Sequence, residues 1–529
     1  MPIRMEEDDP QRNNQSSRSS RPSGGGRNTG GFGGLGGGLG GIIGSVLPLL
    51  MKRPKLLIIL VIVGVALYFF MGKGCSVSSL LNEGGGGIVS QFVRGGELNK
   101  EVYEKTEIFE PLADNKKNPL PERYSLQKYC PTPMNQGQQG SCVAWAAAYA
   151  ARTIIEAQRT GKDANSVKFS PSFMYNQISL DHATCQGSYI KLAMDNMMNV
   201  GAVPFSDFRY TDKECTTEPA STLKAKANAF KIKGFQRLTE EGKGKAFEVL
   251  AMKQNLAKGS PCIIGMMVGG SFMQNMVGKE FWNPTSTDFN KSGFGGHAMC
   301  VVAYDDFYEG GSFLLMNSWG TEWGKGGFAW VRYSDFKDFN VEAYGLYPMG
   351  DASKKRETTF TGSFGLELNA GKKTIQLKQV QGNYFETSGT LKKGDKFKVE
   401  FTNNVECYAY VFGQETDGTS YVLFPYTKKH SPYCGITGTR LFPRDFSMVP
   451  DDKGDKDKIV VLVTREPADY EVFNKKLSLA AGATYEAKMK TIMGSSSNQN
   501  INFNGSEIIN FSTSVDNKQP IYFVIGINK

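Results

Sequence analysis

The sequence predicts an α+β domain in two lobes, followed by an all-β domain of sandwich type, with one transmembrane helix ahead of both. Three observations carry this. Good helix formers dominate residues 142–159, whereas residues 261–332 break into short apolar runs of strand length. From residue 351 onward, apolar and polar residues alternate in run after run. Residues 56–71 form an uncharged apolar run whose only turn residue is Gly64.

At 529 residues the chain is too long for one hydrophobic core, so two folded domains with appendages are expected. The net charge is +9, yet no dense Lys/Arg run stands beside stacking aromatics. Nucleic acid is therefore excluded as the expected partner. Residues 1–46 are low in complexity, rich first in Arg, Ser and Asn and then in Gly. Such a segment cannot offset its ordering entropy, so residues 1–55 are expected to be a disordered tail.

Residues 56–72 are the expected membrane span. The apolar run is slightly short of the ~20 residues usual for a span, but its flanks extend it. Lys52, Arg53 and Lys55 precede it, and only Lys73 follows closely. By the positive-inside rule the N-terminus stays in the cytoplasm, and the chain from residue 76 faces the periplasm or cell surface. No Ala-x-Ala-like site follows the run, which argues against a cleaved signal peptide. Residues 73–120 read as a linker with a short helix near 97–107.

Residues 135–150, Asn-Gln-Gly-Gln-Gln-Gly-Ser-Cys-Val-Ala-Trp-Ala-Ala-Ala-Tyr-Ala, pass from a turn-rich loop into a helix. Gly137 and Gly140 form the loop, Ser141 is an acceptable N-cap and Gly161 a stop. Cys142 then lies in the first helical turn, where unpaired N–H groups and the macrodipole favour a thiolate. Downstream, Gly295-Gly296-His297-Ala298 opens an apolar strand. A second strand ends on Asn317 before Ser318-Trp319-Gly320. Cys, His and Asn on separate elements are the parts of a thiol-nucleophile triad.

At these motifs the chain resembles the papain-like cysteine peptidases. Asn135-Gln136-Gly137, Gly140-Ser141-Cys142, Gly296-His297-Ala298 and Asn317-Ser318-Trp319-Gly320 carry the resemblance, which spans roughly residues 121–350. It implies Cys142 as nucleophile, His297 as general acid and base, and Asn317 as the group that orients the imidazole. Gln136, with the Cys142 backbone N–H, would hold the oxyanion. Trp319 would cover the His–Asn bond at the edge of the cleft. Cys185-Gln-Gly187-Ser188 resembles the loop that presents backbone to an extended substrate. Gly296 belongs to the same surface, and Gly265, Met266 and Ala298 would line a pocket for a bulky apolar side chain. Cys185 and Cys215 fall where the family places a disulfide.

The pattern departs from the family in places. Gln139 stands where a disulfide cysteine is usual, Val143 where tryptophan is usual, and Ser188 replaces a glycine. The Cys–His and Cys–Asn separations exceed the ~130–150 residues typical of the plant and animal enzymes. Insertions near 206–250 and 270–294 would account for the excess. The linker leaves little room for a long helical pro-segment, so the family's usual latency is expected to be missing.

Within residues 351–529, Asp417-Gly418 between two apolar runs signals a hairpin. Gly394-Asp395, Tyr408-Ala-Tyr-Val and Leu423-Phe424-Pro425 resemble a bacterial accessory domain of unknown function, which carries no site residues. This domain is expected to meet substrate, a protein partner or the envelope. Cys407 and Cys434 are candidates for a bridge in it, and the residues leave the thiol form equally open. No motif asks for a cofactor. His430 near Cys434 lacks the second ligand pair that a metal site needs.

The expected function is a membrane-anchored peptidase acting outside the cytoplasm on protein or peptide substrates. Two alternatives stay open: a silent papain-like binding protein, and a Cys/His cell-wall amidase or transpeptidase.

Overall fold

In the computed structural model, residues 3–8, 95–97, 99–108, 110–114, 116–240, 245–498, 501–504 and 508–529 are described. The expected membrane span at 56–72 lies outside them. Among the described residues no helix is long and apolar enough to cross a membrane.

Residues 121–350 are helical in their first half and form a sheet in their second. One continuous helix runs from Cys142 to Thr160, with a π-helical middle at Trp145–Arg152. Every residue from Cys142 to Gln158 is buried, which explains the alanine-rich sequence: only small side chains let neighbours approach it on all sides. Gly161 ends it in the left-handed region at φ 67°. The second helix, Pro171–Ile178, starts with proline at its first position, and the Ser170 hydroxyl accepts the Phe173 N–H.

The sheet is antiparallel and seven-stranded. Strand Cys262–Val268 lies between Asn340–Leu346 and Gly295–Asp305, and the latter continues to Ser312–Met316 and Phe328–Arg332. The register places Met266 opposite His297 and Gly265 opposite Ala298. His297 and Asn317 thus come from neighbouring strands, His297 near the start of one and Asn317 just past the end of the next. The Cys142 helix packs on the same sheet.

The C-terminal region is built on two packed sheets. One includes Thr359–Leu368, Phe397–Asn403, Phe446–Pro450 and Ile509–Ser514; the other includes Cys407–Gln414, Ser420–Phe424, Lys456–Thr464 and Ile521–Asn528. Phe364, Phe401, Val411, Val461 and Phe523 fill the space between them. The Asp417-Gly418 turn joins Cys407–Gln414 to Ser420–Phe424, with Gly418 at φ 84°. Cys407 and Cys434 oppose each other across a strand pair as thiols.

Two expectations need correction here. The domain is not all β: helices Tyr470–Leu479 and Tyr485–Met493 cover the outer face of the second sheet. Leu477, Tyr485, Met489 and Met493 pack on Tyr410, Phe412, Val460 and Leu462, so that sheet is apolar on both faces. Nor is the N-terminal tail without structure throughout. Ile3–Glu7 forms an edge strand antiparallel to Phe446–Pro450. Ile3 is buried, and the Asp8 carboxylate accepts from Lys398 (2.6 Å) and Asn369 (3.2 Å).

Phe523 stacks on Phe364 at 4.7 Å, meets Phe503 edge-on and packs tilted against Phe385 and Phe511. Phe523→Ala should cost about 3–5 kcal/mol in urea unfolding of this domain. A cost near zero would mean that the two sheets do not share this core.

Candidate active site

Cys142 begins its helix and has no exposed surface. The N-cap differs from expectation: the Ser141 side chain does not cap the helix, and its hydroxyl pairs with the Tyr210 hydroxyl at 2.8 Å. His297 is equally buried. Its neighbour Ala298 donates its backbone N–H to Cys142 Sγ at 3.4 Å, which fixes the imidazole strand against the thiol.

His297 Nε2 lies 2.7 Å from Asn317 Oδ1. The same Oδ1 accepts the Ser318 N–H at 2.8 Å, so an oxygen faces the ring and Nε2 carries the proton. Proton exchange with a thiol then falls to Nδ1. Trp319, itself buried, stacks on the imidazole with centroids 4.4 Å apart and shields the Nε2 bond from water. Trp323 and Phe272 pack edge-on against Trp319 and its neighbours.

Gln136 is held from both sides. Its Nε2 donates to the Gln139 carbonyl at 2.9 Å and its Oε1 accepts from Ser318 Oγ at 2.6 Å. The Gln136 N–H donates to the Ser318 carbonyl at 2.8 Å. The loop before Cys142 is therefore tied to the loop after Asn317. Cys185 and Cys215 are joined by a disulfide. Gln139, in the place of another half-cystine, bonds the Glu214 carbonyl at 3.1 Å through Nε2.

Tyr210 went unnoticed in the sequence. Its hydroxyl donates to the Gln136 carbonyl at 2.7 Å, lies 3.2 Å from Gln139 Oε1, and pairs with Ser141. One phenol thus braces three residues of the loop. A lone tyrosine inside an insertion gave no pattern to read.

The cleft is not open. Residues 95–97 cross it: the linker that leaves little room for a long helical pro-segment still places a short extended stretch in the cleft. Gly96 N–H donates to the Gly296 carbonyl at 3.1 Å, Ser188 N–H to Gly95 O at 3.0 Å, and Glu97 N–H to Ser188 O at 3.0 Å. Ser188 and Gly296 are backbone groups that the resemblance assigns to an extended substrate. Only glycine fits so deeply: a Cβ on Gly95 would lie 2.2 Å from the Gly140 carbonyl oxygen, and one on Gly96 3.1 Å from Ala298 N. Glu97 in turn covers Gly187. Gly265, Met266 and Ala298 form the strand floor nearby, with Met266 and Ala298 buried.

The thiol is fully buried in this arrangement. Burial pushes the Cys142 thiol up to about 12, although N–H groups of Ala298, Val143 and Gly95 pull it down. Burial here outweighs the effect of the helix-start position. Yet the cover is weak by itself. Three hydrogen bonds contribute about 0.5–1.5 kcal/mol each. Ordering three residues costs about 1–2 kcal/mol each, with glycine at the upper end. The strap needs anchors elsewhere.

Residues 121–349 match the model for the papain family of cysteine proteases, and residues 390–467 match a domain of unknown function, DUF4384. The chain is 26% identical over 215 residues to an uncharacterized peptidase C1-like protein of Acanthamoeba polyphaga mimivirus, covering 39% of this chain and 66% of that protein. It is 25% identical over 209 residues to cathepsin K of Mus musculus, covering 39% of this chain and 57% of the other. Among solved structures it is similar to xylellain, a cysteine protease from Xylella fastidiosa, at 21% identity and a TM-score of 0.40, over 49% of this chain and 96% of that one. The family match and these relatives indicate a cysteine peptidase, a hydrolase by class. The match to the papain-family model takes in less than half of the chain, residues 121–349, and the DUF4384 match follows it at residues 390–467.

Gly95→Ala should unseat the strap. Hydrogen exchange would then speed up at the Ser188 amide, which donates to Gly95 O in the closed chain. Unchanged protection at Ser188 would show that residues 95–97 do not depend on this fit.

Proposed function

We propose that the chain is a membrane-anchored cysteine peptidase, acting through Cys142, His297 and Asn317, that is latent while residues 95–97 cover the cleft. The observation that carries this is the Asn317 Oδ1–His297 Nε2 bond beside a thiol that receives the Ala298 N–H.

Once the strap leaves, the Cys142 thiol gives its proton to His297 Nδ1 and the sulfur attacks the substrate carbonyl carbon. The oxyanion is held by the Cys142 backbone N–H and the second N–H of the Gln136 amide, whose first N–H is engaged by Gln139 O. His297 protonates the leaving amine, and the acyl group stays on sulfur as a thioester. Water, losing its proton to His297, then hydrolyses the thioester and restores the thiol. Asn317 keeps Nε2–H bonded throughout, so Nδ1 remains the working nitrogen.

With the strap released, Cys142→Ala should abolish hydrolysis of an unstructured protein and labelling by an epoxide probe of the papain class. Gln136→Ala should lower kcat about 10²–10³-fold with the thiol still labelled. Hydrolysis that survives Cys142→Ala would sink the mechanism.

For location, the uncharged run at 56–71 flanked by Lys52, Arg53 and Lys55 supports a single membrane crossing with the peptidase outside. Such a crossing separates residues 3–8 from the rest of the fold by a bilayer, whereas Met5 here pairs with Met448. The crossing chain must therefore give up that edge strand. In membranes, a Met5→Cys/Met448→Cys pair should fail to cross-link within one chain, while detergent-released chain should form the bond. Efficient intrachain cross-linking in sealed membranes would rule out the single crossing.

A further inference from the structure

The strap is followed by a linker that the C-terminal domain grips. We propose that the C-terminal domain serves as a clamp: by holding residues 108–118 it keeps residues 95–97 in the cleft. This rests on the peptidase reading above for its meaning, though not for its mechanics.

The grip begins at Ile108. Its N–H donates to the Lys429 carbonyl at 2.7 Å, and its own carbonyl accepts the Ser431 N–H at 3.1 Å. Ile108 also bridges to Arg237 of the peptidase sheet, so one residue joins both domains. Further along, Ala113 N–H donates to the Thr439 carbonyl at 2.8 Å. The Asn118 side chain then closes a reciprocal pair on Thr439, accepting its N–H at 2.8 Å and donating to its carbonyl at 2.9 Å. Arg440, fully buried, donates through Nε to the Glu110 carbonyl at 3.2 Å. Lys117 reaches Glu400 at 2.6 Å and Glu367 at 2.8 Å, both carboxylates nearly buried.

On the peptidase side the holds are fewer. Tyr103 bonds Thr239 through its hydroxyl and sits under the Arg237 guanidinium at 4.8 Å. Gln254 donates to the carbonyls of Leu112 and Ala113 at 3.2 Å each. The helix between strap and clamp, Lys100–Glu104, is too short to hold its shape unaided. A cavity of about 1080 Å³, lined by Tyr103, Ile108, Arg237, Glu342 and Lys429 among others, leaves this junction incompletely packed.

The physical argument is one of effective concentration. The strap's three backbone bonds are too weak to hold it as a free segment. Pinning the linker at Ile108 restricts the volume that residues 95–97 can explore and so raises their occupancy of the cleft, with no new contact at the active site. What grips 108–118 thereby sets how often Cys142 is covered. The face around Lys429–Ser431 and Thr439–Arg440 is the part of the C-terminal domain given to this task.

Two changes to the full chain test it. Ile108→Pro with Asn118→Ala removes the donor to Lys429 and the reciprocal pair on Thr439, leaving both domain cores and all residues around Cys142 untouched. A second variant inserts a flexible Gly/Ser segment after Lys105, which leaves the clamp intact and lengthens the tether. The readout is the rate at which a small alkylating reagent modifies Cys142 in the folded chain, followed by mass spectrometry. Each variant should raise that rate by about 10-fold or more, a modest part of the gain that linkage provides. Unchanged alkylation in both variants overturns the proposal. Faster alkylation without peptide hydrolysis supports the clamp and counts against the peptidase reading. Hydrolysis that depends on Cys142 but is indifferent to both changes does the reverse.

Discussion

A sulfur nucleophile needs a base held at one angle and kept dry, and on the proposed mechanism a single hydrogen bond under a tryptophan would meet that requirement. Asn317 Oδ1 fixes Nε2 of His297 at 2.7 Å, and Trp319 covers the ring. Much of the surrounding architecture serves to keep these groups in register. The antiparallel pairing of Gly295–Asp305 with Ser312–Met316 brings His297 and Asn317 to the same end of the sheet. The buried helix delivers Cys142 to that end from the other lobe. The tie between Gln136 and Ser318 closes the loop over it.

Ser188 and Gly296 hold residues 95–97, and on the proposed function the same backbone groups would receive an extended peptide. Latency and catalysis would then exclude each other by geometry. The Cys142 thiol is buried with the strap in place, and on the proposed function it meets a substrate only once the strap is out. Because the glycine strap binds weakly on its own, its occupancy can be adjusted from a distance, and this gives the linker and the domain that grips it their importance.

The candidate site was legible in the sequence because each of its proposed members sits in a local motif. Cys142 follows a Gly-rich loop, His297 follows two glycines at a strand mouth, and Asn317 ends an apolar run before Ser-Trp-Gly. The helical first half and strand-rich second half were legible from periodicity. What escaped notice depends on contacts distant in sequence. Gly95-Gly96 has no side chains to advertise that it faces Gly140 and Gly296. Tyr210 is one aromatic among many until its hydroxyl is seen on Gln136 and Gln139. Helices Tyr470–Leu479 and Tyr485–Met493 were hidden among strands, although Asp469 and Thr484 cap them. Ile3–Glu7 is polar and short, and only the distant Phe446–Pro450 edge makes it a strand.

The most direct test is the ionisation of Cys142, followed by thiolate absorbance across pH as the difference between the native chain and Cys142→Ala. In the closed chain the thiol should stay neutral until pH approaches about 12, as its burial dictates. In a chain lacking residues 95–97 it should ionise well below the ~8.5 of an ordinary thiol, paired with the His297 imidazolium. Identical titrations in the two chains would contradict the account, because the strap would then not govern the nucleophile.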